Sequence, residues 1–358
     1  MVCDFCTETV SGFFFERLKT TVSWVKIDSV THWRCFMKMI KKAVVLAAAV
    51  FMSSSVFADI NWGSLAGVQD KYDAKVKTVN SGMADFSKQL AIAVPQAATQ
   101  QNVWADAYIG QLFPSVPPHI GGGFNMGLTH IDTSGIAQAA KELNIKNVKD
   151  DYYYPVFTAD IRFGGVLLPF DFDIAVMKTG KISTDKIPGA NLDVDFFTIG
   201  ADFRYALLEG GVVMPKLSVG LGYFYNQGSF GCDSSYAKAN VDYKIQTMYV
   251  QAQLSKQILM FTPFVGLRGL VSKHENDWSW ALKEQTAVEA LTLAGMASGG
   301  SGTEKSDMFD FNAIQPQIFA GIGVSFLVLD VNLSLTADLR NIKDKGLWSG
   351  AASVRLSL

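Results

Sequence analysis

Residues 197–205 read FTIGADFRY, and this stretch decides the fold. Its odd-numbered positions are apolar or aromatic, whereas its even-numbered positions are Thr198, Gly200, Asp202 and Arg204. Successive side chains of a β-strand point to opposite faces, so this period of two predicts a strand with one apolar and one polar face. Soluble sheets also alternate in this way, so other features must decide which face meets water.

The same period of two recurs in ten segments of the chain. They are about 10–13 residues long, whereas soluble strands average about 5–6 residues and a tilted membrane-spanning strand needs about 9–11. In the sixth segment the phase slips near Thr247, which predicts a β-bulge. The segments lie at about 120–128, 152–163, 168–176, 195–205, 216–225, 240–255, 261–271, 314–326, 331–339 and 348–358.

The polar faces of these segments contain Gly, Ser, Thr, Asn and Gln but little Lys or Glu, unlike a face in contact with bulk water. Aromatic residues gather near the segment ends, as they do at the two interfaces of a membrane. In lipid an open sheet edge would leave backbone groups unpaired, so the sheet must close. We therefore predict an all-β fold, a transmembrane antiparallel β-barrel of about ten strands. The predicted interface aromatics are Tyr205, Tyr223, Tyr225, Phe261 and Trp348.

The connections between the segments alternate between short turns and long loops, which is typical of outer-membrane barrels. Because the number of strands is even, the start of the first strand and the end of the last strand both lie at the short-turn, periplasmic side. A twelve-stranded barrel is the alternative, if Trp278–Leu282 and Val288–Leu293 in the longest loop form a spanning hairpin. Outside the membrane, the same residues would form an extended outer ribbon.

Composition excludes several classes of protein. Of the 358 residues, 49% are hydrophobic and 18% are charged, which excludes a disordered chain. The formal net charge of −2 gives no electrostatic reason to expect nucleic acid as a partner. The longest apolar run is too short for a spanning helix, but it follows lysines and ends in small residues. It predicts a secretory signal peptide over residues 37–58, cleaved after Ala58.

Two further segments precede the predicted barrel, which covers residues 118–358. Residues 1–36 lie ahead of the signal peptide, and we interpret them as an upstream leader assigned to the chain in error. Residues 59–117 do not alternate, and Met83–Tyr108 reads as a helix interrupted at Pro95. This N-terminal helical segment either plugs the lumen or packs at the periplasmic side, below the barrel or along the membrane surface. A short amphipathic stretch near Ile136 lies in the first long loop.

A short repeat of Ala-Asp-apolar-Arg occurs three times, and each copy is expected near the end of a downward strand. Its Asp and Arg point to the same side, into the lumen. Two interpretations remain open: a ring of ion pairs that satisfy one another in the wall, or a polar constriction that selects solutes. The lumen ion-pair candidates are Asp160, Arg162, Asp171, Asp173, Asp202, Arg204, Arg268, Asp338 and Arg340.

The sequence offers little catalytic chemistry. His119, His130 and His274 remain after signal cleavage, and the sequence places no nucleophile or carboxylate beside any of them. Neither zinc spacing, an EF-hand pattern nor a phosphate-binding loop is present. One cysteine, Cys232, remains in the mature chain, so no internal disulfide is expected. We expect no enzymatic activity, no cofactor and no metal.

The alternating segments and the C-terminal run Val354–Leu358 resemble Gram-negative outer-membrane β-barrel proteins of the loose class that includes the OmpW and FadL families. Segments such as Pro169–Asp173 also resemble uncharacterised spirochaetal outer-membrane proteins. The resemblance implies an outer-membrane location, with membrane lipid and the barrel assembly machinery as partners. It leaves two functions open: passive passage or uptake of small solutes, apolar ones included, or a structural or adhesin-like barrel that interacts through its long extracellular loops.

Overall fold

The computed structural model describes residues 65–113, 118–143, 148–178, 182–187, 190–308, 310 and 313–358. The predicted leader and signal peptide lie outside the described residues. The helices are α1 (Leu65–Gln100), α2 (Ser134–Glu142), α3 (Gln285–Ala294) and α4 (Ile342–Lys345). The strands are β1 (Ile120–Asp132), β2 (Asp151–Gly164), β3 (Phe170–Lys178), β4 (Ile182–Ile187), β5 (Ala190–Glu209), β6 (Lys216–Ser234), β7 (Ala237–Ser255), β8 (Phe261–Leu282), β9 (Gly299–Ser306), β10 (Gln315–Phe326), β11 (Leu329–Asp338) and β12 (Trp348–Ser357).

Ten of these strands close into an antiparallel barrel, as predicted. The order runs β10-β11-β12-β1-β2-β3-β5-β6-β7-β8, and pairing between β8 and β10 closes the ring. The remaining two strands lie outside this ring. Strand β4 pairs with the start of β5, and β9 pairs with the end of β8. The ten barrel strands present the alternation seen in residues 197–205, so the sequence period translates directly into two opposite surfaces of the wall.

The twelve-strand alternative is wrong, and the outer ribbon expected in its place is present with a different partner strand. Trp278 and Trp280 continue β8, and both side chains are buried. Residues Val288–Leu293 are not a strand, because they lie within α3, which ends at Gly295 in a left-handed conformation. The partner of the extended β8 is instead β9.

The barrel has two unlike ends. The short-turn end contains the turns after β2, β5, β7 and β10, together with the start of β1 and the end of β12, where the Leu358 amide donates to the Ile120 carbonyl at 2.9 Å. The long-loop end contains α2, α3, α4, β4, β9 and the extended parts of β5 to β8.

Strand β7 corrects two expectations. Residues 226–240 were expected to form a long loop, but β6 continues to Ser234 and β7 begins at Ala237. The bulge near Thr247 is also wrong, since β7 pairs with β6 and β8 without a shift in register. The phase only appeared to slip because the inward face of β7 contains large residues, Tyr243, Ile245 and Tyr249, which are buried inside the barrel.

The outer surface of the barrel is apolar and the inner surface is polar. On β1, the outward Phe124 is 75% exposed, whereas the neighbouring inward Asn125 is 3% exposed. This arrangement is the reverse of a soluble sandwich and matches a wall in contact with lipid. None of the described helices is both long enough and apolar enough to span a membrane. Among the predicted interface aromatics, Tyr223, Tyr225 and Trp348 lie towards the long-loop end, and Tyr205 and Phe261 towards the short-turn end.

Helix α1 lies inside the barrel and runs along its axis. Near the long-loop end, the Tyr72 hydroxyl donates to the Ala297 carbonyl at 2.5 Å, and the Trp280 indole donates to Asn80 at 2.7 Å. The helix begins before the predicted Met83, continues through Pro95 without interruption, and ends at Gln100, before the predicted Tyr108. An interior proline costs a helix about 3 kcal/mol, and we attribute the continuity of α1 to its contacts with the surrounding wall. The start of α1 therefore lies at the long-loop end, opposite to the start of β1.

Candidate functional site

The end of α1 and the chain that follows it are held in the lumen by buried arginines. Arg355 donates to the Val103 carbonyl at 3.0 Å and to the Gln101 carbonyl at 3.3 Å. Arg268 donates to the Thr99 carbonyl at 2.8 Å, and Arg204 donates to the Asp106 carbonyl at 2.9 Å. Buried polar groups need hydrogen-bond partners, so the wall and the chain inside it satisfy one another.

Two buried arginines, Arg162 and Arg204, contact a cluster of buried aspartates. Arg162 lies 2.6 Å from Asp171 and 2.9 Å from Asp202, with Asp173 at 3.5 Å. Arg204 binds Asp171 through two nitrogens, each at 2.8 Å. These residues come from β2, β3 and β5, and they were expected to face the lumen from the alternation alone. Adjacent strands bring them to one level near the short-turn end.

The remaining lumen candidates lie in different surroundings. Arg268 contacts Gln251 and lies over the rings of Tyr249 and Phe319, at 4.8 and 4.9 Å from their centroids. The third copy of the repeat was misplaced, because β11 runs towards the long-loop end rather than away from it. Asp338 is buried there and accepts hydrogen bonds from the backbone of Arg340 and Asn341, so it orders the turn before α4. Arg340 lies in that turn.

Sequence reasoning missed two members of the lumen network. Arg355 pairs with Asp160 at 2.8 Å, and the indole of Trp104 donates to the same carboxylate at 2.9 Å. The Arg355 guanidinium also lies 4.4 Å from the Trp104 ring centroid. The polar face of the last strand pointed to Arg355, whereas Trp104 lies outside the alternating segments. In the described part of the chain, α1 and residues 101–113 thus fill the lumen.

Glycines on the inner wall make room for rings. Gly200 pairs with Phe224 across β5 and β6, and a Cβ atom at Gly200 would lie 2.1 Å from that ring. Gly222 and Tyr249 repeat this arrangement across β6 and β7. The neutral, glycine-rich inner faces therefore hold packed aromatic side chains.

A separate cavity of about 370 Å³ lies at the long-loop end, between α1, α2 and the wall. This volume is within the range of small-molecule pockets in proteins. None of the described residues that line it is charged. The lining includes Met83 and Phe86 of α1, Ile136 and Ala139 of α2, Tyr152–Pro155 of β2, Val194 and Phe196 of β5, Phe230 and Cys232 of β6, and Ala239 and Val241 of β7.

Aromatic rings form one side of this cavity. Phe230 lies 5.7 Å from Phe86 and 5.2 Å from Phe196, measured between ring centroids. The hydroxyl groups of Tyr154 and Tyr243 hydrogen-bond to each other at 2.8 Å, so the polar end of Tyr154 is already satisfied. Burial raises the pKa of the Cys232 thiol, and the nearby Asp233 adds to this effect. The cavity therefore offers an apolar surface with one weakly reactive thiol.

Helices α1 and α2 cross closely where they cover the cavity. A Cβ atom at Gly82 would lie 2.2 Å from the Gly135 carbonyl oxygen and 2.8 Å from the Ala139 Cβ. The absence of a side chain at Gly82 is therefore what allows α2 to approach. Beside this crossing, Met83, Phe86, Ile136 and Ala139 all face the cavity.

Among the described residues, the strands β2 and β3 are paired over only part of their length beside the cavity. The two strands pair from Gly164↔Asp171 to Ala159↔Val176, and the described part of the chain shows no pairing beyond that point towards the long-loop end. The Phe157 amide instead donates to the Met177 sulfur at 3.3 Å. Amides of alternate residues face the same side of a strand, so Pro155, which has no amide hydrogen, occupies this unpaired side. The part of β2 from Asp151 to Thr158, which has no pairing to β3, thus forms a seam in the wall.

The three histidines have structural partners. His130 lies 3.2 Å from Asp151 and stacks on Trp348, His119 contacts the Gln111 carbonyl at 2.8 Å, and His274 contacts the Ser306 hydroxyl at 2.7 Å. The His274–Ser306 contact joins β8 to β9, and Ser306 also contacts backbone groups of β8. Burial lowers the pKa of His274.

The closed wall, its apolar outer face and its polar inner face together define the class of fold. The protein has the fold of an outer-membrane β-barrel. No protein-family model matches the chain, and no curated protein matches it.

Solved outer-membrane proteins resemble it in structure. The Escherichia coli outer membrane protease OmpT matches with a TM-score of 0.41 and 9% identity, over 68% of this chain and 97% of OmpT. A Pseudomonas aeruginosa FadL homologue matches with a TM-score of 0.37 and 12% identity, over 72% of this chain and 67% of that protein. The translocator domain of the Neisseria meningitidis autotransporter NalP matches with a TM-score of 0.33 and 11% identity, over 77% of this chain and 96% of that domain.

Proposed function

We propose that this protein is a non-enzymatic outer-membrane barrel that takes up a small apolar solute at its long-loop end. The observation that carries the proposal is the cavity of about 370 Å³ beneath α2, whose described lining residues are all uncharged. An apolar ligand gains about 25 cal/mol for each Å² of apolar surface that leaves water, and such a cavity supplies that surface. A charged ligand would lose its hydration there without gaining a partner.

The seam between β2 and β3 gives such a ligand a route. The route leads sideways towards lipid, because the lumen below the cavity contains α1 and the buried arginines. In this proposal the long loops face the outside of the cell, membrane lipid surrounds the barrel, and the barrel assembly machinery inserts it. The helix inside the lumen argues against an open aqueous pore, which was one form of the channel hypothesis.

Fluorescence of a neutral naphthylamine dye tests the proposal. The refolded barrel should increase the emission of the dye, and Ala239→Phe, which fills the cavity from β7, should weaken binding by about tenfold or more, equal to about 1.4 kcal/mol. The matched control is Ala252→Phe, which places the same ring on the lipid-facing side of the same strand. Equal affinities in the two variants would contradict the proposal.

Cys232 provides a second readout inside the cavity. Its raised thiol pKa predicts slow maleimide labelling at neutral pH that accelerates as the pH rises, since the thiolate is the reactive form. A bound neutral ligand should slow the labelling further. The alternative hypothesis, a surface-interaction barrel, predicts that labelling does not depend on any apolar ligand. In that case the ribbon formed by β8 and β9 is the surface to examine for a partner.

A further inference from the structure

The four short turns at the short-turn end carry apolar tips. We call Leu167, Val212, Leu259 and Leu327 the turn tips, one from each turn, and they are between 77% and 99% exposed. Their neighbours Leu168, Val213, Ile258 and Val328 are also apolar and exposed. Tight turns in contact with water favour Gly, Asn, Asp and Ser. The apolar residues of these four turns therefore differ from the composition expected of turns that face water.

Three of the turn tips are strained. Leu167, Leu259 and Leu327 have φ angles of 70°, 56° and 56°, in the left-handed region. This conformation costs a residue with a side chain roughly 1–2 kcal/mol, and glycine or asparagine would relieve the cost. Leucine occupies all three positions nevertheless. The apolar side chain at each of these three tips therefore contributes a favourable free energy that exceeds the cost of the backbone strain.

The backbone of these turns is satisfied by other protein groups. The Lys256 ammonium donates to the carbonyls of Gly211, Val212 and Met214 at 2.8, 2.8 and 3.1 Å. The Ser325 amide donates to the Met260 carbonyl at 2.8 Å. Backbone groups that enter lipid must be paired internally, and these turns meet that condition at several positions.

The turn tips continue the lipid-facing band of the wall. On β8 the outward residues are uncharged from Phe261 to Val271, and the next outward residue is Lys273. Ten residue steps of a strand tilted by about 40° rise about 25 Å along the barrel axis. An outer-membrane apolar band of about 25 Å then ends near Phe261, so Leu259 lies at the boundary between acyl chains and headgroups.

We propose that the turn tips insert into the lipid leaflet at the short-turn end and anchor the barrel there. The surface fits acyl chains at their boundary with the lipid headgroups. All four turns around the barrel share the apolar tips, which favours an environment that surrounds the barrel over a protein that docks on one side. This anchoring does not depend on the ligand proposed for the cavity.

An environment-sensitive fluorophore at the tips tests the proposal. The full chain, with its four cysteines replaced by serine, receives one cysteine as Leu259→Cys or Leu327→Cys. The matched control is Asp277→Cys, which is exposed on β8 beyond the apolar band. In vesicles of pure phosphatidylcholine, lipids brominated on their acyl chains should quench the probe at both tips but not at the control. Iodide added on both sides of the membrane should quench the probe at position 277 but not the probe at either tip.

Iodide quenching at the tips as strong as at position 277 would overturn the proposal and favour a protein partner on a water-exposed rim. Self-quenching that grows with the protein-to-lipid ratio would overturn it in favour of a second copy of this chain. A second measurement uses the variant Leu167→Asn, Leu259→Asn, Leu327→Asn, whose backbone tolerates asparagine at positive φ. Its refolding optimum should shift towards bilayers with shorter acyl chains, and an unchanged optimum would also overturn the proposal.

Discussion

Both carboxylate oxygens of Asp171 lie 2.8 Å from guanidinium nitrogens of Arg204, and both side chains are buried inside the barrel. Arg204 also holds the Asp106 carbonyl at 2.9 Å. One arginine therefore connects β3, β5 and the chain within the lumen. The lumen network therefore connects the wall to the chain inside it and holds the end of α1 in place.

Replacing Arg204 with alanine should destabilise the barrel by about 3–5 kcal/mol, because it leaves buried aspartate charge without its partner. Urea unfolding of the refolded protein in lipid measures this change. The control is Lys305→Ala, which breaks the exposed ion pair with Glu275, whose N···O distance is 2.6 Å. That surface pair should contribute little. A loss at Arg204 no larger than at Lys305 would contradict the buried network.

Removing residues 60–115 should raise the single-channel conductance of the barrel, because α1 and the chain after it occupy the lumen. The intact protein should show little steady conductance in planar bilayers. Folding of the deletion variant is checked by its heat-dependent mobility in gels. A folded deletion variant with unchanged conductance would mean that other side chains close the lumen.

Replacing Gly82 with alanine should weaken the α1–α2 crossing, since the new Cβ would meet the Gly135 carbonyl oxygen. Overpacking of this kind typically costs about 1–3 kcal/mol. The affinity of the dye for the cavity should also decrease, because α2 provides part of the cavity lining. Gly211→Ala is the control, since a Cβ atom there has no heavy atom within 4 Å. Equal dye affinity in both variants would show that the crossing does not shape the cavity.

Amide hydrogen exchange should detect the seam between β2 and β3. The amides of Asp151 and Tyr153 face the unpaired side, like that of Phe157, and should exchange faster than those of Tyr152 and Tyr154, which face β1. Exposed, unpaired amides open at little free-energy cost. The reference is β7 between Thr247 and Gln251, which is paired on both sides. Uniform protection along β2 would indicate a closed wall.

The alternation of residues 197–205 and of the other segments determined the barrel class, the ten strands and the inward direction of Asp160, Arg162, Asp202 and Arg204. These properties are local, because a period of two assigns each side chain to a face wherever the strand lies. The same reasoning failed for β7, where large inward residues pack against α1 and obscure the pattern. It also assigned the wrong partner segment to the outer part of β8, which pairs with β9.

The tertiary structure alone decided what fills the lumen, in which direction α1 runs, and where the cavity and the seam lie. Arg355 meets the carbonyl of Val103 across 252 positions of sequence, and no local pattern encodes such a meeting. A buried polar group is satisfied by whichever group the closed wall places opposite it. The sequence by itself thus determined the two faces of the wall, and the closure of the barrel around α1 determined the contacts on the inner face.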